Sequence, residues 1–224
     1  NIPESVIAIG ENAFSSCERL TNIHLSQNIC CIKYNTFYRC ESMTSILLPT
    51  ELKLIEQEAF ESCTKLLSVN VPQGVSSVMK RSFSGCKSLG SISIPQSVEF
   101  IGKGAFNECK NLVIEINEEN ERFKVIDGLL IDQEGIGIFA SRSDIQGDYI
   151  VPECVHVIGE SCFDNCKHMT SLKIPGNVKE IGKSAFQKCK NLKKVEIEEG
   201  LTKIGKSAFE DCENLVEIYI PDGV

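Results

Sequence analysis

The residues best equipped for chemistry in this chain are its cysteines, twelve in 224 residues. Cysteines in such number serve as a disulfide framework, as metal ligands, as nucleophiles or as small buried hydrophobes, and spacing separates these uses. A structural zinc site needs closely spaced ligand pairs with four groups converging. Only Cys162 and Cys166 approach such spacing, so no metal site is assigned. The histidines, His24, His156 and His168, fall at different points of the repeat described below, and a nucleophile needs a base and an orienting third group within hydrogen-bond reach. No such triad can be assembled. The acidic run from Glu115 to Glu121 lacks the spacing of a calcium loop and reads as a solvated turn. With no phosphate-cradling glycine loop and no paired carboxylates standing apart from the repeat, the sequence names no catalytic residue and no cofactor. A formal charge of −8 argues against a nucleic-acid partner, whose binders usually display a concentrated basic face. No apolar run is long enough to span a membrane, so none of the chain is expected to insert in one. The absence of tryptophan leaves no obvious stacking platform for bases or sugars.

The cysteines are spaced by a repeat, and the repeat decides their role. Phe14, Phe37, Phe60, Phe83 and Phe106 fall 23 residues apart, and Phe163, Phe186 and Phe209 resume the interval. Three residues after each stands Cys17, Cys40, Cys63, Cys86, Cys109, Cys166, Cys189 or Cys212. Six residues after each stands a leucine or methionine, from Leu20 to Leu215, so independent columns hold one register.

The other columns assign structure to the unit. Apolar residues two apart, such as Ile46/Leu48, Val69/Val71, Ile92/Ile94 and Val195/Ile197, predict a strand with one face buried. Proline at 49, 72, 95, 152, 175 and 221 stops it. An apolar pair three apart follows, usually before a glycine (Gly102, Gly159, Gly182, Gly205) that is expected to permit a turn. The small residue, phenylalanine and cysteine then fit one short helical turn with its apolar side inward. A unit this short must stack on its neighbours, which sets equivalent strands side by side in a parallel sheet. The expected fold is therefore a solenoid with a parallel β-sheet on its concave face and short helical turns opposite. Residues 1–224 are read as a single solenoid fragment, since both ends fall at strands without a capping unit. One coil, 117–148, is elongated and lacks the phenylalanine and cysteine. Within it, apolar-rich runs at 124–131 and 136–140 flank Asp132-Gln133-Glu134-Gly135 and predict a hairpin protruding from the solenoid.

The composite pattern I-P-x-S-V-x-x-I-G-x-x-A-F-x-x-C-x-x-L, nearly complete at 94–112 and 174–192, closely resembles the BspA-like class of leucine-rich repeats. Ser26 and Glu198 depart from it at the proline. That resemblance implies a curved solenoid on the surface of host-associated bacteria or anaerobic protists, used for adhesion or recognition, with no enzymatic activity. The expected function is a non-catalytic module that binds a protein or other macromolecule at the cell surface or outside the cell. The alternative is an intracellular, cytoplasmic scaffold or regulatory domain, which a reduced cysteine ladder suits equally well. The eight column cysteines are expected to pack, reduced and shielded, with Cys30 and Cys154 more accessible. Lysines also form a column, Lys87, Lys110, Lys167 and Lys190, read as a solvated rim. Solenoids bind on the strand face that points away from the core. Counting outward positions yields His24, Leu47, Asn70, Ser93, Glu115, Ile150, Lys173, Lys194, Glu196 and Tyr219 as candidate ligand contacts.

Overall fold

The computed structural model describes residues 1–109, 111–140 and 145–224, arranged as two compact units, Asn1–Arg122 and Phe123–Val224. Lys110 of the lysine column lies outside the described residues.

The first unit carries β1 (Cys31–Ile32), β2 (Leu54–Ile55), β3 (Ser68–Asn70), β4 (Ser77–Val78), β5 (Ser91–Ile94), β6 (Phe100–Ile101) and β7 (Val113–Ile116). They form two parallel sheets. One has the order β3-β5-β7, extended by a bridge from Ser45 to Ser68, and is the sheet foreseen from the two-residue alternation. The other has the order β1-β2-β4-β6 and is built from the apolar pairs that follow each proline. Alternation is too short there to announce a strand: two residues suffice because each pairs with the identical position of the next coil. The prolines begin the intervening turn, and the third residue beyond donates its N–H back to the proline carbonyl, as in Leu52 to Pro49 at 3.1 Å and Val75 to Pro72 at 3.0 Å.

The phenylalanine segment is not helical, and no residue among those described lies in a helix. Two residues before and two after each phenylalanine the backbone is left-handed, for example Arg81 (φ 54°) and Gly85 (φ 74°) around Phe83, and Ser184 (φ 52°) and Lys188 (φ 61°) around Phe186. Those reversals interrupt the run of negative φ that a helical turn requires. Local bonds then alternate with bonds to the next coil. Ser82, Ser84 and Cys86 donate to carbonyls three residues back, while Arg81, Phe83 and Gly85 donate to Lys103, Ala105 and Asn107 at 3.2, 2.9 and 2.7 Å. The segment is thus stitched to its neighbour like a strand, and its side chains stack like one. Phe14, Phe37, Phe60, Phe83 and Phe106 form a file with ring centroids 5.2–6.2 Å apart and planes within 13° of parallel. Phe37, Phe60 and Phe83 are fully buried.

The second unit holds β8 (Phe123–Ile126), β9 (Leu129–Asp132), β10 (Ile136–Ala140), β11 (Gly147–Ile150), β12 (Val157–Ile158), β13 (Met169–Ile174), β14 (Glu180–Ile181), β15 (Lys194–Ile197), β16 (Lys203–Ile204) and β17 (Glu217–Tyr219). Strands β11-β13-β15-β17 make the longer-stranded parallel sheet, and the other sheet runs β16-β14-β12-β10-β9-β8. The expected hairpin is a three-stranded meander, because Asp127 and Gly128, both at positive φ, break the run at 124–131 into two antiparallel strands. Nor does it protrude. Strand β10 pairs in parallel with β12, and Leu129 and Ile131 are fully buried members of this unit's core. Where the repeat phenylalanine is missing, Tyr149 lies tilted at 60° against Phe163, 5.6 Å between centroids, at the head of the file Phe163–Phe186–Phe209.

The repeat glycines also act otherwise than expected. Gly182 does not lie at positive φ; a Cβ there would stand 2.7 Å from the carbonyl carbon of Gly159 and 2.8 Å from the amide of Glu160. Glycine serves close approach of backbones between coils, not a left-handed turn.

Three substitutions test this account by urea denaturation. Phe83→Ala should lose about 3–5 kcal/mol. Ile131→Ala should lose about 2–5 kcal/mol, where a mere surface excursion would lose almost nothing. Gly182→Ala should lose about 1–3 kcal/mol by overpacking backbone; a neutral result would show that the coils separate freely at this column.

Candidate functional site

The cysteine column is positioned by the turns just described, and geometry gives it a structural task. Six of the column thiols donate to the carbonyl of the phenylalanine in the preceding coil: Cys40 to Phe14, Cys63 to Phe37, Cys86 to Phe60, Cys109 to Phe83, Cys189 to Phe163 and Cys212 to Phe186, all with Sγ···O of 3.2 Å. A small apolar residue with one weak donor satisfies a buried carbonyl that a larger polar group would not fit over. Burial pushes the Cys40 thiol up to about 11, and the same cause raises Cys63, Cys86 and Cys162. These thiols are the reverse of activated nucleophiles.

No two cysteines are placed in disulfide geometry. Of the eight in the column, Cys40, Cys63, Cys86, Cys109, Cys166 and Cys189 are buried and Cys212 is half-buried, but Cys17 is exposed, against expectation. Cys30 is exposed as expected and Cys154 is half-buried. Cys31 donates to Glu56 Oε1 at 3.3 Å, and burial together with that carboxylate pushes its thiol up to about 12. Among the described residues no group of three or more histidine, cysteine, aspartate or glutamate side chains is arranged to hold a metal ion, and no helix is long and apolar enough to cross a membrane.

The candidate contacts lie on the outward faces of the longer-stranded sheets, one set in each unit. In the first unit Asn70, Ser93 and Glu115 are exposed and share one row, because β3, β5 and β7 pair Asn70 with Ser93 and Ser93 with Glu115. His24 and Leu47 are exposed in the coils before them, Leu47 at 65%. In the second unit Ile150, Lys173, Glu196 and Tyr219 occupy one row and Lys194 stands beside it. Ile150 and Tyr219 are exposed, at 63% and 59%.

The two faces differ in chemistry. In the second unit the polar groups answer one another: Lys173 meets Glu198 at 2.9 Å and Glu196 at 3.6 Å, Lys194 meets Glu217 at 3.3 Å, and Asp148 accepts from Ser171 at 2.7 Å. Glu198 raises the pKa of Lys173, and Lys173 lowers that of Glu198. In the first unit the face is mostly serine and asparagine, and the side chains of Ser45, Ser68, Asn70, Ser91 and Ser93 make no intramolecular hydrogen bond among the described residues. Outward counting missed Leu67 and Val113, exposed at 59% and 46%; Leu67 sits one step before the strand face, and Val113 lies on it, paired with Ser91. Their signal was available: both follow the buried leucine of the repeat directly.

Parallel strands, tight turns and stacked side-chain columns, repeated every 23 residues, define a leucine-rich-repeat β-solenoid. The chain belongs to the family of the BspA type leucine rich repeat region, which matches residues 1–113 and 137–224 in six copies. It is similar in structure to a leucine-rich repeat protein of Eubacterium ventriosum, at a TM-score of 0.79 and 20% identity over 95% of this chain and 63% of that one. A leucine rich cell surface protein of Faecalibacterium prausnitzii is similar at 0.71 and 28% identity, over 100% of this chain and 73% of that one. The pneumococcal vaccine antigen PcpA is similar at 0.72 and 18%, over 91% and 63%. The chain thus spans under two thirds of the Eubacterium protein and of PcpA. No curated protein matches it, and no enzyme family is indicated.

The raised thiols fix a pH dependence. An unfolded thiol ionises near 9.0 and the buried Cys40 thiol only near 11, so the neutral form is favoured in the fold. This contribution is complete below pH 9 and is lost as pH rises through 11. Urea midpoints should fall across that window, and Cys86→Ser should reduce the fall. In native protein an impermeant maleimide should modify Cys17 and Cys30 first and leave Cys63, Cys86 and Cys189 untouched until unfolding; rapid labelling of Cys86 would refute the ladder.

Proposed function

We propose that this chain is a non-catalytic binding module, displayed at the cell surface, that docks a protein or other macromolecule on the outward face of its longer-stranded sheets. The observation that carries the reading is the face itself. Rows of solvent-facing side chains in strict inter-coil register hold exposed apolar groups, Leu47, Ile150 and Tyr219, amid polar neighbours. A macromolecular interface takes this form, apolar anchors within a polar rim, whereas burial holds thiols such as Cys86 protonated. Surface display is supported by the names of two similar proteins, a cell surface protein and a vaccine antigen. Adhesion or antigenic recognition is the role proposed for it.

An intracellular scaffold is the second reading, and one observation favours it: the column cysteines aim their sulfurs at carbonyls of the preceding coil and not at each other, a packing that suits a reducing compartment.

Biotinylation of intact cells with an impermeant reagent discriminates the two. Recovery of the labelled protein is expected; its retention in the soluble intracellular fraction would favour the scaffold. For a partner isolated on the immobilised chain, Leu47→Ala or Tyr219→Ala should weaken binding by on the order of tenfold, and Lys188→Ala in a phenylalanine turn should leave it unchanged. The opposite pattern would move the docking surface to the turns.

A further inference from the structure

The column thiols share their acceptors with the backbone. The Phe37 carbonyl accepts the N–H of Cys40 at 3.1 Å and the thiol of Cys63 at 3.2 Å, and the Phe60 carbonyl accepts the N–H of Cys63 and the thiol of Cys86, both at 3.2 Å. Each sulfur is thereby aimed at the backbone of the preceding coil, and Cys63, Cys86, Cys109 and Cys189 are fully buried there. The ladder fixes the spacing on the other side: Phe60 donates to Ser82 at 2.8 Å and Phe83 to Ala105 at 2.9 Å, three residues before the cysteines.

This packing leaves no place for a disulfide within the column. Equivalent side chains on stacked coils run parallel, so the Cβ atoms of neighbouring column cysteines stand as far apart as the coils, about 4.8 Å. A disulfide draws its Cβ atoms to about 3.8 Å and removes both S–H donors from their carbonyls. Column cysteines two coils apart are separated by about 9–10 Å, beyond the reach of a bridge. The unfolded chain has no such restriction: Cys17, Cys40, Cys63, Cys86 and Cys109 recur every 23 residues, and loops of that length close at modest entropic cost. A bridged column and a folded column are therefore alternatives, and a modification that only the unfolded chain accepts draws the equilibrium towards it.

We propose that the cysteine column is a redox gate on folding. The solenoid forms only while the column is present as thiols. A disulfide oxidant met before folding holds the chain unfolded, and the same oxidant met after folding leaves the buried column untouched. In the unfolded chain one column thiolate attacks the oxidant's disulfide, forming a mixed disulfide and expelling one thiol. A second column thiol then displaces the remaining half, so two chain thiols are oxidised to one bridge and one oxidant disulfide is reduced to two thiols. In the fold neither step has access, because the thiols are buried and desolvation keeps them protonated. Cys17 and Cys30 are exposed and react in either state, so they lie outside the gate.

The test varies only the order of addition. The whole chain, reduced and unfolded in urea, is diluted into native buffer with oxidised glutathione already present, or with the same concentration added after folding. Oxidant added after folding should leave the circular dichroism of the folded chain unchanged, with adducts confined by mass to accessible thiols such as Cys17 and Cys30. Oxidant present first should lower the native signal by on the order of tenfold or more, with bridges between column cysteines, and dithiothreitol should restore it. The triple variant Cys17→Ser/Cys30→Ser/Cys154→Ser should behave as the parent does, which places the effect in the column. Full native signal with oxidant present first would overturn the proposal, as would column bridges in folded protein or a gate lost in the triple variant. A second measurement starts from the folded chain: its urea midpoint should be lower in oxidised glutathione than in dithiothreitol, and equal midpoints would overturn the gate.

Discussion

Within each unit everything follows from backbone hydrogen bonding between successive coils, which holds equivalent residues about 4.8 Å apart. That spacing is close to the thickness of a side chain, so each position of the repeat sees mainly its own copies above and below. Identical residues are then the simplest solution. Phenylalanine stacks offset on phenylalanine at 4.9–6.2 Å, glycine permits glycine backbones to touch, and cysteine reaches the carbonyl of the coil before it. The columns are consequences of one distance.

The same constraint explains how departures are tolerated. Where the phenylalanine is absent in the elongated coil, Tyr149 contributes a tilted ring and a meander supplies Leu129 and Ile131 to the core. The glycine is absent in three coils of the first unit, replaced by Lys33, Glu56 and Met79, and Glu56 turns its carboxylate to the Tyr34 amide at 2.9 Å and the Cys31 thiol. Neither change disturbs the ladder, because neither removes a backbone donor or acceptor from it.

Outward positions escape this rule, since no column partner is required of a solvated side chain. Differences between the units therefore concentrate there. The second unit uses the freedom for inter-coil ion pairs such as Lys173–Glu198 and Lys194–Glu217, each exposed and worth little to stability. The first unit presents mostly small uncharged groups there, with Leu47, Leu67 and Val113 exposed among them.

Periodicity alone determined the repeat length, the buried columns, the strand that follows each leucine and the outward row of candidate contacts, because side-chain alternation and column identity are properties of spacing in the chain. Three things only the tertiary structure decided. The short second sheet exists because coils pair, not because two residues alternate. The phenylalanine segment is a chain of turns and not a helix, because left-handed residues such as Arg81 and Lys188 carry no distinctive sequence signal, while their N–H groups find acceptors 22 residues away. And the reason for each glycine, crowded at Gly182 and open at Gly90, depends on which atoms of another coil stand over it, a distance that no one-dimensional pattern contains.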